Sequence, residues 1–305
     1  MKSQLKGTLA LSIATIIWGS AFIAQSVGMD HIGPMTFQAG RCFLAVLFLI
    51  PVVFLFDLSK KEGRGFLSSW TNKQLWKAGS ICGAALFVAA GLQQVGLLYT
   101  TAGKAGFITA MYIILVPILG LFIGQKPPFS AWISVGIAVI GLYLLSCVGV
   151  SEINTGDILM LGSAFAFAVQ ITLVDKFAGD LDGLRLNCIQ SLVCASLSAI
   201  VMFTTEAPRW ENIAACWLPL GYAGVLSMGV AYSLQIIGQK HLPPTPASLI
   251  MSLESVFAVL FAWLILKETM ATHEILGCCL VFGAVILSQM PVKERTNAGK
   301  KQETH

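Results

Sequence analysis

The sequence predicts an all-α membrane protein with ten transmembrane helices, arranged as two inverted five-helix repeats. Hydrophobic residues make up 56% of the 305 residues and charged residues only 11%, whereas soluble domains carry roughly 25% charged residues. A soluble chain of this length cannot bury that much apolar surface. The loops between the apolar segments are short, so the sequence leaves no room for a soluble catalytic domain or a linker.

Each of ten apolar segments comes close to the about 20 residues that a bilayer-crossing helix needs. They lie at roughly 7–27, 36–56, 76–98, 105–124, 129–148, 156–174, 186–204, 213–236, 246–266 and 273–290. The first follows two lysines and is similar to a secretory signal, but nine more spans follow, so we expect it to be retained. Pro117 within the fourth predicts a kink, either as a hinge or as a feature of shape.

The two halves of the chain align weakly with each other. An offset of 149 places Gly7 on Gly156, Trp18 on Phe167 and Arg41 on Gln190, and an offset of 142 places Gly96 on Gly238 and Ala105 on Ala247. We therefore predict a first five-helix repeat over 1–148, a second over 149–290 and a polar cytoplasmic tail over 291–305. Because five is odd, the copies must be inverted, which is typical of secondary transporters.

The basic residues predict the orientation. With ten spans, 15 of the 19 Lys and Arg residues fall on the side that holds both termini, three fall on the other side, and Arg41 lies within a span. Cytoplasmic loops carry the excess of Lys and Arg, so both termini are expected in the cytoplasm. The basic residues are spread over many loops instead of forming one stripe, which argues against a nucleic-acid partner.

No sequence motif indicates an enzyme, a cofactor or a metal site. The chain contains no phosphate-binding P loop, no His-Glu-x-x-His and no Cys-x-x-Cys, and none of its four histidines lies deeper in a span than His273, the first residue of the tenth. Most of the eight cysteines lie inside spans, where they act as small apolar packing residues. We expect no catalysis, no cofactor and no bound metal.

Several short motifs occur in a characteristic order. They are Trp18-Gly19-Ser20-Ala21-Phe22, Arg41, the segment from Gly96 to Phe107, Pro117, Leu253-Glu254 and Lys267-Glu268. Over residues 7–290 the chain resembles the drug/metabolite transporter superfamily, specifically its ten-helix EamA-type members. The resemblance implies a ten-helix inverted repeat, alternating access, and export or uptake of small metabolites or drugs. Span one contains no carboxylate, unlike the four-helix multidrug relatives, so their proton coupling is not carried over.

Two charged residues lie within the spans. Arg41 is about 8 Å deep in span two, where its side chain either snorkels or pairs structurally, or contacts substrate or a gate. Glu254 is about 14 Å deep in span nine and is expected to be protonated, paired or facing water. It either makes a fixed hydrogen bond or carries a proton or cation. The two lie about 10 Å apart along the membrane normal.

Aromatic and amide side chains recur at helical spacing in spans one, three, six and eight. This pattern suits either helix packing with amides bonded across the interface or a cavity that binds a small polar molecule. The predicted substrate-binding residues are Trp18, Gln25, Arg41, Gln94, Phe167, Gln170, Tyr232 and Gln235, with Glu254 as the ion- or proton-coupling residue.

These features predict a secondary transporter that exports a small metabolite or drug, amino acid-like or nucleoside-like, across the cytoplasmic membrane by alternating access. The alternative is a membrane receptor or sensor that binds a small ligand without moving it. The expected partners are a small-molecule substrate and the lipid bilayer. No feature of the sequence indicates an oligomeric state.

Overall fold

The structure, a computed structural model, describes residues 2–59, 70–100, 102–146, 154–179, 181–266 and 271–290. All regular elements within these ranges are helical, so the predicted all-α class is confirmed. The predicted repeat boundary at 148/149 and the predicted tail at 291–305 lie outside the described residues.

Fourteen α-helices and one π-helical segment follow one another along the described chain. In the first half they are α1 (Lys2–Met29), α2 (Pro34–Ser59), α3 (Lys73–Gly96), α4 (Ala102–Thr109), α5 (Tyr112–Phe122) and α6 (Phe129–Ser146). In the second half they are α7 (Thr155–Ala178), α8 (Gly183–Thr205), α9 (Trp210–Ala215), α10 (Trp217–Tyr222), the π-helical segment (Ala223–Ala231), α11 (Tyr232–Gln239), α12 (Pro244–Met251), α13 (Leu253–Leu266) and α14 (Thr272–Gln289).

These elements form ten membrane spans. Within the described residues nine helical stretches are long and apolar enough to cross a bilayer, and the tenth, Phe129–Leu145, is shorter. Spans four and nine each consist of two consecutive helices, α4 with α5 and α12 with α13. Span eight passes through the π-helical segment. The predicted ten-helix architecture is confirmed.

Helices α2 and α8 are repeat copies of each other and run antiparallel. Near the end of α2, Asp57 binds the guanidinium of Arg185, close to the start of α8. At the other end, Glu206 follows α8 and accepts a hydrogen bond from the Thr36 backbone N–H at the start of α2 (2.8 Å). We call the end of the bundle where α1 begins the N-terminal face, which holds Asp57, and the other end the opposite face.

Two glycine crossings repeat the same contact in each half. A Cβ atom on Gly7 of α1 would lie 2.9 Å from the carbonyl oxygen of Gly238 in α11. A Cβ atom on Gly156 of α7 would lie 2.8 Å from the carbonyl oxygen of Gly96 in α3. Because Gly156 is the copy of Gly7 and Gly238 the copy of Gly96, each crossing is the repeat copy of the other. This is the contact pattern of two inverted units related by a pseudo-twofold axis.

The interruptions of spans four and nine are also repeat-related. The backbone N–H of Ile113 donates to Ala110 O (3.0 Å), and the N–H of Ser255 donates to Ser252 O (3.2 Å). These are i→i+3 bonds, which tighten the helix for one turn and often mark a hinge. Ser252 stands 142 residues after Ala110. Pro117, where the sequence predicts a kink, lies inside α5 and follows the interruption, so a kink at Pro117 itself stays a prediction.

The π-helical segment shows why span eight departs from regular geometry. A wide turn leaves carbonyl groups that the helix itself does not satisfy. The side-chain N–H groups of Asn187 in α8 donate to Met228 O (2.9 Å) and Gly229 O (3.0 Å). A side chain from a neighbouring helix thus supplies the missing donors, as the absence of water in a bilayer requires.

Polar side chains lie inside the bundle and large apolar ones outside. Gln190, Asn187 and Ser191 of α8 are fully buried. On α2, Phe43 and Leu47 are exposed by 54% and 52%. A soluble protein shows the reverse distribution, so this pattern agrees with lipid around the bundle.

We expect two glycines of α14 to respond differently to alanine. A Cβ at Gly277 would lie 2.6 Å from the backbone oxygen of Gly141 in α6, whereas a Cβ at Gly283 would have nothing within 4 Å. Gly277→Ala should therefore destabilise by about 1–3 kcal/mol. Gly283→Ala should keep or raise stability, since alanine is the better helix former. Thermal unfolding of the purified variants checks this, and equal melting temperatures would contradict the α6–α14 packing.

Candidate functional site

A central cavity lies between the two halves of the bundle. The space between its walls is about 500 Å³, including the part open to solvent. Its fifteen lining residues are Trp18, Phe22, Gln25, Arg41, Gln93, Thr109, Tyr112, Phe167, Gln170, Ile171, Ser227, Tyr232, Gln235, Met251 and Glu254.

Ten of the fifteen lining residues form repeat-related pairs. The pairs are Trp18 with Phe167 and Phe22 with Ile171 at the offset of 149, and Gln93 with Gln235, Thr109 with Met251 and Tyr112 with Glu254 at the offset of 142. Both halves therefore contribute equivalent positions to one cavity. The pseudo-twofold axis passes through it.

Eight of the nine predicted site residues line this cavity: Trp18, Gln25, Arg41, Phe167, Gln170, Tyr232, Gln235 and Glu254. The ninth, Gln94, does not line it. Gln94 is fully buried, its amide nitrogen lies 2.7 Å from the sulfur of Met29, and its Oε1 has no hydrogen-bond partner among the described residues. The neighbouring Gln93 lines the cavity instead, with its Nε2 donating to Thr109 Oγ1 (3.3 Å).

The guanidinium of Arg41 is held inside the bundle. Arg41 is 3% exposed, so it does not snorkel to the interface in this structure. Its Nε donates to Gln38 Oε1 (3.0 Å), its Nη1 donates to Gln25 Oε1 (2.6 Å), and its Nη2 also contacts Gln38. Among the described residues no carboxylate forms an ion pair with it. The positive charge is thus held by neutral amides beside the cavity.

Glu254 lies on the second-half side of the same cavity. It follows the interruption at Ser252, about 15 Å along the helical path from the start of α12. Glu254 is 7% exposed, and Tyr112 Oη donates to its Oε1 (3.1 Å). Tyr112 is the repeat copy of Glu254, so this hydrogen bond crosses the pseudo-twofold axis. Within the described chain the other carboxylate oxygen of Glu254 has no hydrogen-bond partner.

An aromatic wall faces these polar groups. The rings of Trp18 and Tyr232 pack edge to face, with centroids 5.0 Å apart and an angle of 65° between the planes. The indole N–H of Trp18 is buried without a partner among the described residues. Phe22 and Phe167 extend the apolar surface.

A chain of amide side chains connects the cavity to the π-helical segment. Gln235 Nε2 donates to Gln170 Oε1 (3.1 Å), and Gln170 Nε2 lies 3.5 Å from Gln190 Oε1. Gln190 Nε2 then donates to Asn187 Oδ1 (2.9 Å). Asn187 ends the chain at the carbonyl groups of Met228 and Gly229. Gln235 Oε1 is left buried without a partner in the described part of the protein.

The sequence analysis missed several lining residues, and the repeat offset could have found two of them. Gln93 stands 142 residues before Gln235, and Tyr112 stands 142 residues before Glu254. Thr109, Ser227 and Met251 carry no comparable signal, because they are small or apolar residues in apolar helices.

The cavity combines an arginine, a glutamate, amide and indole atoms that lack a partner among the described residues, and an aromatic surface. The EamA-like transporter family model matches residues 5–147 and 154–290. The chain belongs to the EamA-like transporter family. It is therefore a multi-pass membrane protein of a transporter family, with a small-molecule substrate.

Proteins similar to the chain are also transporters. An uncharacterized transporter of Archaeoglobus fulgidus is 33% identical over 292 residues, which cover 95% of this chain and 87% of that protein. The uncharacterized transporter YoaV of Bacillus subtilis is 22% identical and covers 96% of this chain and 99% of its own length. The threonine/homoserine exporter RhtA of Salmonella typhimurium is 30% identical over 57% of this chain and 59% of its own length.

One solved structure shares the fold. It matches with a TM-score of 0.77 at 16% sequence identity and covers 93% of this chain and 96% of its own. At this identity the match supports the arrangement of the helices alone.

We expect substitutions of Gln93 and Gln94 to have different effects, because Gln93 lines the cavity and Gln94 is buried outside it. Gln93→Ala removes a polar group of the wall and should weaken binding of the transported solute by about 1 kcal/mol, or roughly fivefold in Kd. Gln94→Met replaces a buried amide whose oxygen has no partner by an apolar group of similar length, so affinity and melting temperature should not fall. Ligand-induced thermal shifts of the two variants measure the affinity. A larger loss of affinity for Gln94→Met than for Gln93→Ala would contradict the finding that Gln93, and not Gln94, lines the cavity.

Proposed function

We propose that the protein is a secondary transporter that exports a small metabolite, amino acid-like or nucleoside-like, across the cytoplasmic membrane by alternating access. The observation that carries the proposal is the central cavity, which both repeats line with equivalent residues. Secondary transporters bind substrate at the interface of inverted repeats, midway across the bilayer.

The interrupted helices support this proposal. Substrate sites of transporters are commonly formed where membrane helices are discontinuous. Here both interruptions lie within three residues of a cavity residue, Tyr112 after Ala110 and Glu254 after Ser252. A change of conformation at these turns moves the cavity walls directly.

The contacts at the two ends of α2 and α8 supply a device for alternating access. At the opposite face, the Glu206 carboxylate accepts from Met35 N (2.7 Å), Thr36 N (2.8 Å) and Thr36 Oγ1 (2.5 Å). At the N-terminal face, Arg185 is paired with Asp57, and with Asp182 at 2.8 Å. We call these contacts the two α2–α8 clasps.

The clasps are repeat copies of each other. Glu206 stands 149 residues after Asp57, and Arg185 stands 149 residues after Thr36. Equivalent carboxylates therefore hold equivalent helix starts at the two faces. Release of one clasp while the other stays closed would open the cavity to one side only.

Orientation and direction rest on charge and on the relatives. The excess of Lys and Arg that the sequence puts on the side of the termini supports a cytoplasmic location for both termini. RhtA is an exporter of threonine and homoserine, which supports export and an amino acid-like solute for this chain. A receptor that holds its ligand without moving it is the second candidate, since the same cavity would serve it.

A labelling experiment separates a transporter from a receptor. Single cysteines at Gln93 and Gln235 are introduced into a protein whose eight native cysteines have been replaced, and impermeant thiol reagents are added to one side of oriented vesicles. A transporter exposes both positions to both sides in turn. Flux of radiolabelled amino acids and nucleosides from proteoliposomes then measures transport.

If the clasps control access to the cavity, weakening either one should change the labelling in the same assay. Glu206→Gln should raise labelling from the opposite face, and Asp57→Asn should raise labelling from the N-terminal face, because each weakens the clasp at one end. Labelling from one side only, together with no flux of any solute, would support the receptor and contradict the transporter. If neither substitution changes the labelling, the clasps only fix the register of α2 against α8 and do not control access to the cavity.

Glu254 is the proposed ion- or proton-coupling residue. If Glu254 carries a proton during transport, the Glu254→Gln variant should transport solute at a rate that no longer depends on the pH gradient, because glutamine cannot titrate. Flux at several pH gradients, with the amount of inserted protein matched, measures this. Unchanged dependence on the gradient in the variant would show that Glu254 does not couple protons.

A further inference from the structure

We propose that the cavity recognises a zwitterion, with the carboxylate of a small α-amino acid bound at Arg41 and its ammonium group bound between Glu254 and Gln235. This inference rests on the proposed transport function and names the substrate class of the same cavity. It follows from the unpaired charges and from the fixed direction of the amide chain.

Arg41 supplies the anion-binding end. A guanidinium has five N–H donors, and three hydrogen bonds to Gln25 and Gln38 account for three of them. Two donors remain without a partner among the described residues. The guanidinium also lies 5.8 Å from the centroid of the Phe37 ring, but among the described residues no carboxylate pairs with it, so its buried charge is incompletely compensated. A carboxylate accepts two parallel bonds from a guanidinium and compensates the charge in the same step.

Glu254 supplies the cation-binding end. Only one hydrogen bond, from Tyr112, reaches its carboxylate within the described residues. Arg41 and Glu254 line the same cavity without forming an ion pair with each other. Among the described residues, Arg41 has no ion-pair partner and the carboxyl group of Glu254 has only the Tyr112 hydroxyl as a hydrogen-bond partner. A ligand with a carboxylate and an ammonium group can bind to both side chains.

The amide chain determines which atom Gln235 presents. Asn187 must direct its NH₂ group at the carbonyl groups of Met228 and Gly229, because a carbonyl only accepts hydrogen bonds. Its Oδ1 is then an acceptor, which requires the NH₂ group of Gln190 to point toward it.

The same logic continues along the chain to the cavity. Gln190 offers its oxygen to Gln170, and Gln170 offers its oxygen to Gln235. The NH₂ group of Gln235 also donates to Gln239 Oε1 (3.0 Å). Both N–H groups of Gln235 are thus used, and its unpartnered Oε1 remains as an acceptor in the cavity wall. An ammonium group donates hydrogen bonds and is the complement of this acceptor and of Glu254.

The Trp18 indole supplies a donor near the aromatic wall. Its N–H has no partner in the described part of the protein, so an oxygen of the ligand can accept from it. The ammonium nitrogen and the carboxyl carbon of an α-amino acid are only about 2.5 Å apart, so both charges fit within one small cavity. A neutral nucleoside would supply neither a carboxylate for Arg41 nor an ammonium group for Glu254, and a simple organic anion would leave Glu254 with Tyr112 as its only hydrogen-bond partner among the described residues.

The test compares amino acids with analogues that lack one charge. The probes are the proteinogenic amino acids and homoserine, the methyl esters of those that are transported, their 2-hydroxy acid analogues, and a panel of nucleosides. Efflux from proteoliposomes and binding to the purified protein are both measured. We expect wild-type protein to bind at least one amino acid about tenfold or more tightly than its ester and its hydroxy acid.

Two variants assign each end of the ligand. Arg41→Gln should abolish the preference for the amino acid over its ester and retain the preference over its hydroxy acid. Glu254→Gln should show the reverse. Gln94→Met, which removes another buried polar side chain, lies outside the cavity and should keep both preferences. Ratios of affinities within one variant do not depend on the fraction of protein that folds. Arg41→Lys keeps the positive charge and should therefore retain part of the preference for the amino acid over its ester.

The outcomes separate this inference from the proposed function. Transport of nucleosides or of singly charged analogues in preference to every amino acid overturns the zwitterion and leaves the transporter intact. Unchanged preferences in both Arg41→Gln and Glu254→Gln overturn the assignment of the two residues. Absence of flux for every solute, with one-sided labelling, overturns the proposed function together with the inference.

Discussion

The bilayer interior offers no hydrogen-bond partners, and this constraint accounts for the organisation of the site. Every polar group that turns inward has to be met by another group of the protein or by a ligand. Asn187 donates to carbonyl groups of the π-helical segment, and this fixes which atoms of the Gln190 and Gln170 amides donate and which accept. The same chain of hydrogen bonds determines the orientation of the Gln235 amide. Gln235 Oε1 and the Trp18 indole N–H have no partner among the described residues, and these are groups of the cavity that a ligand can bind.

The same constraint links rigidity to the points where the bundle can move. Glycine crossings bring backbones into direct contact, such as Gly7 with Gly238 and its copy between Gly96 and Gly156, and such packed contacts resist continuous deformation. At the cavity, the interruptions of spans four and nine are each closed by a local i→i+3 bond, from Ile113 N to Ala110 O and from Ser255 N to Ser252 O. Conformational change is thus expected at these turns and at the two α2–α8 clasps, while the glycine crossings move as units.

Apolar length and the repeat offsets predicted much of this fold, because hydropathy reports directly on lipid contact. The same offsets also relate residues that the sequence predictions did not include. The offset of 142 pairs Gln235 with Gln93, whereas spacing on the helix favoured Gln94, and the offset of 149 relates Asp57 to Glu206. The interruption at Ala110 and the π-helical segment were not predictable from local pattern. The π-helical segment is contacted by Asn187 of a neighbouring helix, which no local pattern shows. Pro117, the visible breaker, lies within α5, after the interruption.

The scaffold is duplicated, but its chemistry is not. Arg41 has Gln190 as its copy, and Glu254 has Tyr112. If both copies were arginine or both glutamate, like charges would face one another across the axis in a medium of low dielectric constant, at high cost. With one charge from each half, the proposed zwitterion would contact Arg41 of the first repeat and Glu254 of the second. Such a ligand binds best when the two halves approach each other around it. Its binding energy would therefore favour the closed state that alternating access must pass through.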